Sequence, residues 1–370
     1  MNNIIFIHLL NDYSGSPKVL KDTIRAVHPH MTRSKLYLGS SGDGVLSDCD
    51  IPITKYWYQR MGCKILTLFS YILSQIVLFF KLLTDHTIDK SAIIYVNTLL
   101  PFGAAFYGSL TGRKVIYHIH EISITPTPLK YFLMTIARKT SSLNIYVSDT
   151  HMQVLRIPNV PAIRVYNALD PDFIDRARKS TYLHCHDGYF NILMIASLRD
   201  YKGVPDLLAL AWSLHGQTDI HIDLVVNDDE ETIARYFEGR NLPPNLSIHP
   251  RTTNIAAYYV RASLVLNLSR PDQWVETFGL TILEAMAFGV PVIVPPVGGP
   301  TELIDVGVHG FMVDSRDQAD LLKRVLQLHA DPDLCLRMSR ACRERAKDFS
   351  PESFASNVTS AINQVWNSQI

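Results

Sequence analysis

The chain of 370 residues carries 35 Lys plus Arg against 35 Asp plus Glu, so its formal net charge is zero. That length suits two domains, each with its own core, and the charge balance, with no basic run or low-complexity tail, excludes nucleic acid as a partner. Five scattered cysteines (Cys49, Cys63, Cys185, Cys335, Cys342) without a C-x-x-C spacing exclude a zinc ribbon or disulfide framework and point to a reducing compartment.

The start, Met1-Asn2-Asn3 and then an apolar run, lacks the basic region and cleavage site of a signal peptide. Ile4–Leu9 reads as the first strand. The loop Asn11-Asp12-Tyr13-Ser14-Gly15-Ser16-Pro17-Lys18 then opens a helix, with Ser14 or Ser16 as cap and Pro17 at the first helical position. It is not G-x-G-x-x-G, so a dinucleotide cofactor is not expected. Ile65–Phe80 is apolar apart from Thr67, Ser70, Ser74 and Gln75, and falls short of the ~20 residues a membrane span needs. It suits a buried helix or one resting on a membrane. The buried helix is the first reading, and the membrane one stands close beside it because the stretch Lys55-Tyr56-Trp57-Tyr58-Gln59-Arg60 before it mixes aromatic and basic side chains.

Further strands read at Ala92–Val96, Val115–Ile119 and Leu143–Val147. Tyr117-His118-Ile119-His120-Glu121 closes one of them, and alternation puts His118 and His120 on one face. After Val165-Tyr166-Asn167-Ala168-Leu169-Asp170 the sequence turns polar as far as Gly188, which reads as a linker. His184-Cys185-His186-Asp187 belongs to it rather than to a metal site, because adjacent ligands alternate in direction and no second pair is evident. A second series of strands runs through Phe190–Ile195, Ile222–Val226, Leu264–Leu268, Val292–Val294 and Phe311–Val313, and the last helix starts near Ser350-Pro351-Glu352.

These strands are continuously rather than alternately apolar, as in a parallel sheet covered on both faces. Helical stretches between them give two consecutive βαβ series, hence an α/β chain of two doubly wound domains. Ligands of such sheets bind at the carboxyl ends of the strands. The segment Pro271 to Pro291 (PDQWVETFGLTILEAMAFGVP) sits at such an end and enters a helix that stops at Gly289. Glu276 falls in the loop and Glu284 in the helix. Carboxylates there suit the helix dipole, and they also accept hydrogen bonds from a vicinal diol. Gly279 permits a close backbone approach, and the N–H groups at the helix start suit a diphosphate.

This segment resembles the E-x7-E signature of the retaining GT-B glycosyltransferases, in particular family 4 (glycosyl transferases group 1). The likeness continues in Pro296-Val297-Gly298-Gly299-Pro300-Thr301-Glu302-Leu303 and His309-Gly310-Phe311-Met312-Val313, similar to the family's GG-x-x-E and N-G-x-L-V stretches. The resemblance implies a GT-B fold, two Rossmann-like doubly wound parallel-sheet domains facing across a cleft. They would be an acceptor-side domain over 1–170 and a nucleotide-sugar domain over 171–350, with a helix over 351–370 packing back towards the first. It further implies that Glu284 holds the ribose hydroxyls, that Glu276 contacts the donor sugar, and that the backbone at Phe278, Gly279 and Leu280 touches sugar and phosphate. Ser197-Leu198-Arg199-Asp200-Tyr201-Lys202-Gly203 resembles the family's G-R-x-x-x-x-K-G. Lys202 and Gly203 match, Ser197 stands at the arginine position, and Arg199 is expected to reach the phosphates from two residues on. Gly15 matches the first glycine of the family's G-G-x-E/K loop and Ser16 departs at the second. His120 best matches the histidine that lines the acceptor side, with His118 as the alternative, and Glu121 either anchors that histidine or binds acceptor hydroxyls. Val147-Ser148 and Tyr166-Asn167-Ala168-Leu169-Asp170 resemble the family's V-S and N-G-V-D stretches, with Ala168 in place of the glycine.

The activity so implied is a retaining, metal-independent transfer of a hexose-type sugar from a nucleotide-diphosphate sugar to a glycan or lipid-linked acceptor, in surface polysaccharide or lipopolysaccharide synthesis. The catalytic set is His120, Glu276, Lys202 and Arg199. No cofactor beyond the nucleotide sugar is expected, and the location is cytoplasmic with peripheral membrane contact through 55–83. Three other readings compete: a metal-dependent GT-A transferase using a D-x-D at Asp48–Asp50, Asp170–Asp172 or Asp331–Asp333, a GT-B sugar-nucleotide epimerase, and a noncatalytic sugar-nucleotide scaffold.

Overall fold

The computed structural model describes residues 3–368 and divides by contacts into two units, 1–167 with 352–370, and 168–351. In the first unit the strands are β1 (Asn3–His8), β2 (Arg33–Gly39), β3 (Ile53–Tyr56), β4 (Ile93–Asn97), β5 (Val115–Ile119), β6 (Leu143–Tyr146) and β7 (Ala162–Arg164). They form one parallel sheet ordered β3-β2-β1-β4-β5-β6-β7. The helices between are α1 (Gly15–Val27), α2 (Lys64–Leu83), α3 (Phe102–Leu110), α4 (Thr127–Thr140) and α5 (Asp149–Leu155). The strand order reverses between β1 and β4, so right-handed crossovers place α1 on one face and α2 to α4 on the other.

The second unit opens with α6 (Pro171–Lys179). Its parallel sheet is ordered β10-β9-β8-β11-β12-β13, built from β8 (Phe190–Ala196), β9 (Ile220–Val226), β10 (Leu246–His249), β11 (Leu264–Leu266), β12 (Val292–Val294) and β13 (Gly310–Met312). Its other helices are α7 (Val204–Leu214), α8 (Glu230–Phe237), α9 (Ala256–Arg261), α10 (Leu280–Ala287), α11 (Pro300–Leu303), α12 (Gln318–Ala330) and α13 (Pro332–Ala346). The last helix, α14 (Pro351–Asn367), buries Phe354, Val358, Ala361, Ile362 and Val365, and nearly all of it belongs to the first unit.

The apolar runs Ile4–Leu9, Val115–Ile119 and Phe190–Ile195 lie in interior strands with fully or mostly buried residues. Strands β2, β3, β7 and β10 were not expected. Three are sheet edges, and β2 lies next to one and starts exposed at Arg33. A strand covered on one side only does not read as a continuous apolar run.

Three local expectations are corrected. The stretch read as a linker contains α6, whose Asp170 accepts a hydrogen bond from the Asp172 N–H at its N-cap. Helix α1 starts at Gly15, so Pro17 is its third residue. The Ser14 hydroxyl caps nothing, because Asp12 Oδ1 binds both the Ser14 N–H and its hydroxyl. The apolar helix is longer than the run suggested, 20 residues, which meets the length and composition of a membrane span with a third of its apolar window buried. Two of the three D-x-D matches are helix caps: Asp331 receives the Leu334 N–H at the start of α13, and Asp170 serves α6.

Candidate functional site

In the second unit the loops after β8, β11 and β12 leave neighbouring strands at the same carboxyl edge. The first carries Lys202, in a 3-10 turn at Asp200–Lys202 before α7. The second runs from Asn267 to Gly279 and carries Glu276. Lys202 Nζ and Ser269 Oγ both donate to Glu276 Oε1, at 2.5 Å and 2.7 Å. The Lys202 and Glu276 side chains are 19% and 16% exposed, so the ion pair is largely withdrawn from water yet reachable. Burial alone raises the Glu276 carboxyl, but the Lys202 charge and the hydrogen bonds of Lys202 and Ser269 hold it below its ordinary value. Lys202 Nζ also lies 4.8 Å from the ring centroid of Trp274, which stacks on Tyr201.

The rest of this loop is braced from beneath. Arg270 makes a bidentate pair with Asp206 of α7, at 2.7 Å and 3.0 Å, and its N–H donates to the Tyr201 carbonyl. The Gly298–Gly299 pair of the third loop lies against residues 276–278. Gly298 has φ 79°, a Cβ there would stand 2.3 Å from the Glu276 carbonyl oxygen, and the Gly299 N–H donates to that carbonyl. The two glycines therefore set how closely the third loop supports Glu276.

Gly279 caps α10 with φ 106°, a conformation that leaves the first helical N–H groups aimed out of the loop. Leu, Ala, Met and Glu make α10 a strong local helix former, and Ile282, Leu283, Ala285 and Met286 bury it. Arg343 of α13 donates to the Ala287 and Phe288 carbonyls at its far end. Phe278 is buried, while Leu280 is half-buried at the helix start. Glu284 is 8% exposed, and Tyr259 OH donates to its Oε2 at 2.6 Å. Tyr259 stacks on Phe288, and Phe173 packs edge-on to both. Burial, then the Glu284 carboxylate, hold the Tyr259 hydroxyl protonated well past its ordinary range.

Arg199 does not join this group. It is exposed, and its guanidinium donates back to the Leu198 carbonyl at 2.8 Å.

In the first unit the histidines stand at the carboxyl edge of β5. His118 is fully buried, with Nδ1 2.8 Å from Tyr95 OH. His120 is half-buried, and its ring lies 4.4 Å from that of His118. The group that orients His120 is Asn97, at the end of β4. The Asn97 amide nitrogen faces the Ser16 carbonyl at 3.1 Å, which turns Oδ1 towards His120 Nε2 at 2.9 Å. His120 Nε2 is then the donor and Nδ1 the acceptor of a neutral ring. Burial, followed by His118, His151 and His8, holds His120 well below its ordinary value. Burial likewise takes His8 to about 4 and His118 to about 3. Gly15 opens the helix next to Ser16, so Asn97 ties the Gly15 loop to His120.

Glu121 does not anchor the His120 ring. Its carboxylate accepts the Leu99 and His120 backbone N–H groups, fixing the loop after β4, in which Thr98 has φ 73°. Burial raises the Glu121 carboxyl to about 7 against those hydrogen bonds. Asn97, Ser269, Tyr259 and the Arg270–Asp206 pair were not singled out from the sequence. Asn97 and Ser269 each close an apolar strand run, as His120 does, and that position was the available signal. Among the described residues no group of three or more His, Cys, Asp or Glu is placed to hold a metal ion.

Residues 183–345 match the family model described as glycosyl transferases group 1. The chain is 27% identical over 282 residues to the N-acetyl-alpha-D-glucosaminyl L-malate synthase of Bacillus anthracis, covering 71% of each. It is 23% identical over 270 residues to an uncharacterised glycosyltransferase of Haemophilus influenzae, covering 70% of this chain and 72% of that one. Among solved structures it is similar to Anabaena HepE in complex with UDP and glucose, with TM-score 0.77, 20% identity and coverage of 97% and 99%. It is also similar to the sucrose-phosphate synthase of Thermosynechococcus elongatus, with TM-score 0.79, 15% identity and full coverage of both.

Proposed function

We propose that this chain, a glycosyltransferase of group 1 on the GT-B fold, moves a hexose from a nucleoside-diphosphate sugar to a hydroxyl of a glycan or lipid-linked acceptor with retention of configuration. The observation that carries this reading is the Lys202–Glu276–Ser269 constellation beside the start of α10, inside the segment that the family model matches. Breaking the glycosyl–phosphate bond builds negative charge on the departing diphosphate. Lys202 and the N–H groups at the start of α10 meet that charge without a metal ion. In this reading Glu276 releases Lys202 to the diphosphate and turns to the sugar hydroxyls, while Glu284, held by Tyr259, takes the ribose diol. The acceptor hydroxyl attacks on the face that the phosphate leaves, and a departing phosphate oxygen takes its proton. His120, oriented by Asn97, lines the acceptor side. A role in surface polysaccharide assembly, at the cytoplasmic face of a membrane touched through 55–83, completes the reading.

The test is a thermal-shift and turnover screen of UDP-, GDP- and ADP-sugars in excess EDTA. UDP-glucose comes first, because Anabaena HepE was solved with it. The expected result is stabilisation by one nucleotide class and slow release of its diphosphate, lost in Glu276→Gln. Turnover that disappears with EDTA would remove the metal-independent reading. Conversion of the donor to another sugar nucleotide would identify an epimerase instead.

A further inference from the structure

Helix α2 is amphipathic in the reverse sense. A helix on a water-facing surface turns its apolar stripe to the core and its polar face outward. The face that α2 buries holds Ser70, Ser74 and Gln75 with Tyr71, Leu78 and Leu82. These polar groups are consumed by the fold. Ser70 Oγ donates to the Gln59 carbonyl, Gln75 Oε1 accepts the Gly103 N–H, and Tyr71 OH donates to the Leu100 carbonyl. The outward face holds Ile65 at 78% exposure, Phe69 at 66% and Phe80 at 56%, with Leu66, Ile72 and Ile76 between them. Because α2 is locked to the fold through Tyr71 and Gln75, it lies along the domain instead of crossing a membrane, although its length would suffice.

The apolar face does not end at α2. Phe102 of α3 packs edge-on against Tyr71, Phe106 and Phe132, which joins α2, α3 and α4 into one layer. Phe106 and Leu110 on α3, and Tyr131 and Phe132 on α4, continue the exposed apolar surface. The charge on these helices has one sign. Residues 64–83, 102–110 and 127–140 contain no Asp or Glu and carry Lys64, Lys81, Lys130, Arg138 and Lys139. Trp57 and Arg60, both exposed, lead into α2. Exposed aliphatic and aromatic side chains among cations, with no carboxylate, match the interface of an anionic bilayer. A water-facing surface or a salt-bridged protein partner would carry both signs.

We propose that the joined outer face of α2, α3 and α4 docks on an anionic lipid bilayer, burying Ile65, Leu66, Phe69, Phe106, Tyr131 and Phe132 at the headgroup boundary. This deepens one part of the functional reading, the peripheral contact through 55–83, by naming the whole surface and the lipid class. These helices leave the carboxyl edges of β3, β4 and β5, the edge at which His120 stands. A bilayer on this face would therefore bring a membrane-borne acceptor to the acceptor-side histidine.

The experiment is flotation of the full chain with vesicles of phosphatidylcholine alone and of phosphatidylcholine with phosphatidylglycerol, at low and high salt. Light scattering and donor binding are followed in parallel. Expected is binding to anionic vesicles that weakens with salt, falls about tenfold or more in Ile65→Ser/Phe69→Ser, and falls about fivefold for each cation removed in Lys64→Gln or Lys130→Gln. All three variants change exposed or half-buried side chains and should keep wild-type donor binding. Three results would overturn the proposal: no vesicle binding by a chain that still binds donor, equal binding to neutral and anionic vesicles, or a stable dimer dispersed by Ile65→Ser/Phe69→Ser without vesicle binding, which would assign the face to a second copy. Loss of donor binding by the wild-type chain would instead count against the sugar-transfer reading and leave this surface standing.

Discussion

Replacing Lys202 with Met tests whether the ion pair at the candidate donor site is what keeps Glu276 ionised. Glu276 Oε1 takes hydrogen bonds from Lys202 Nζ and Ser269 Oγ, and both charged side chains are less than a fifth exposed. Removing the cation leaves a withdrawn carboxylate with the neutral Ser269 donor. A fully buried pair broken in this way costs about 3–5 kcal/mol, and the residual exposure with the surviving bond reduces that to about 1–3 kcal/mol. The pH dependence fixes the sign. With Lys202 present the Glu276 carboxyl lies below its ordinary 4.5, so its contribution is intact above that value and lost as pH falls through the folded-state value. Without the cation burial dominates and the carboxyl moves above 4.5. The variant is then penalised at neutral pH, and the penalty fades on acidification. Urea unfolding followed by tryptophan fluorescence, with Trp274 beside the pair as one reporter, should show a gap of about 1–3 kcal/mol near pH 8 that narrows towards pH 5. Glu276→Gln in the Lys202→Met background should recover most of it. A Lys202→Met chain as stable as wild type near pH 8, or a gap that widens on acidification, would show that Lys202 does not hold Glu276 ionised.

Tyr259→Phe removes the hydrogen bond to Glu284 and leaves the stacking on Phe288. It should weaken nucleotide-sugar binding about fivefold, the equivalent of ~1 kcal/mol, with little change in fold, as calorimetric titration will show. Gly298→Ala forces a Cβ against the Glu276 carbonyl at positive φ. It should cost about 2 kcal/mol or more of stability, read by urea unfolding, and reduce donor turnover by displacing Glu276. From about pH 6.5 to about pH 4.5 the buried His8 and His118 each resist protonation, so acid destabilises the first unit, while Glu121, raised to about 7, gains its proton and offsets one of them. Glu121→Gln should therefore be more stable near pH 8 by up to about 3 kcal/mol, yet lose stability more steeply on acidification, measured by urea midpoints across that range.

The interior strands and the helix after Glu276 were legible because burial on both faces leaves an unbroken apolar run, and because Gly279 and Gly289 punctuate α10. Strands β2, β3, β7 and β10 were not: β3, β7 and β10 are sheet edges made largely of partly buried or exposed residues, and β2 opens on the polar Arg33-Ser34-Lys35. For α2 the pattern was misleading in a useful way: its inward Ser70, Ser74 and Gln75 looked like interruptions of an apolar run and are the side that the fold consumes. At the candidate site, motif spacing brought Lys202 and Glu276 to notice separately. Their contact spans 74 residues, and only the adjacency of β8 and β11 makes it. Asn97 escaped notice for the same reason. A lone asparagine at a strand end gains meaning only when β5 lies beside β4 and α1 starts above it.

The proposed sugar transfer requires the second unit to bind the donor through Lys202, Glu276 and Glu284. The most direct measurement is release of nucleoside diphosphate from the stabilising nucleotide sugar, in excess EDTA, by wild type and by Glu276→Gln and Lys202→Met. Turnover in EDTA is expected for wild type, with a loss of about 10²-fold or more in each variant and the folded state retained. Wild-type rates in both variants, or no nucleotide sugar bound by the intact chain, would contradict the proposed transfer.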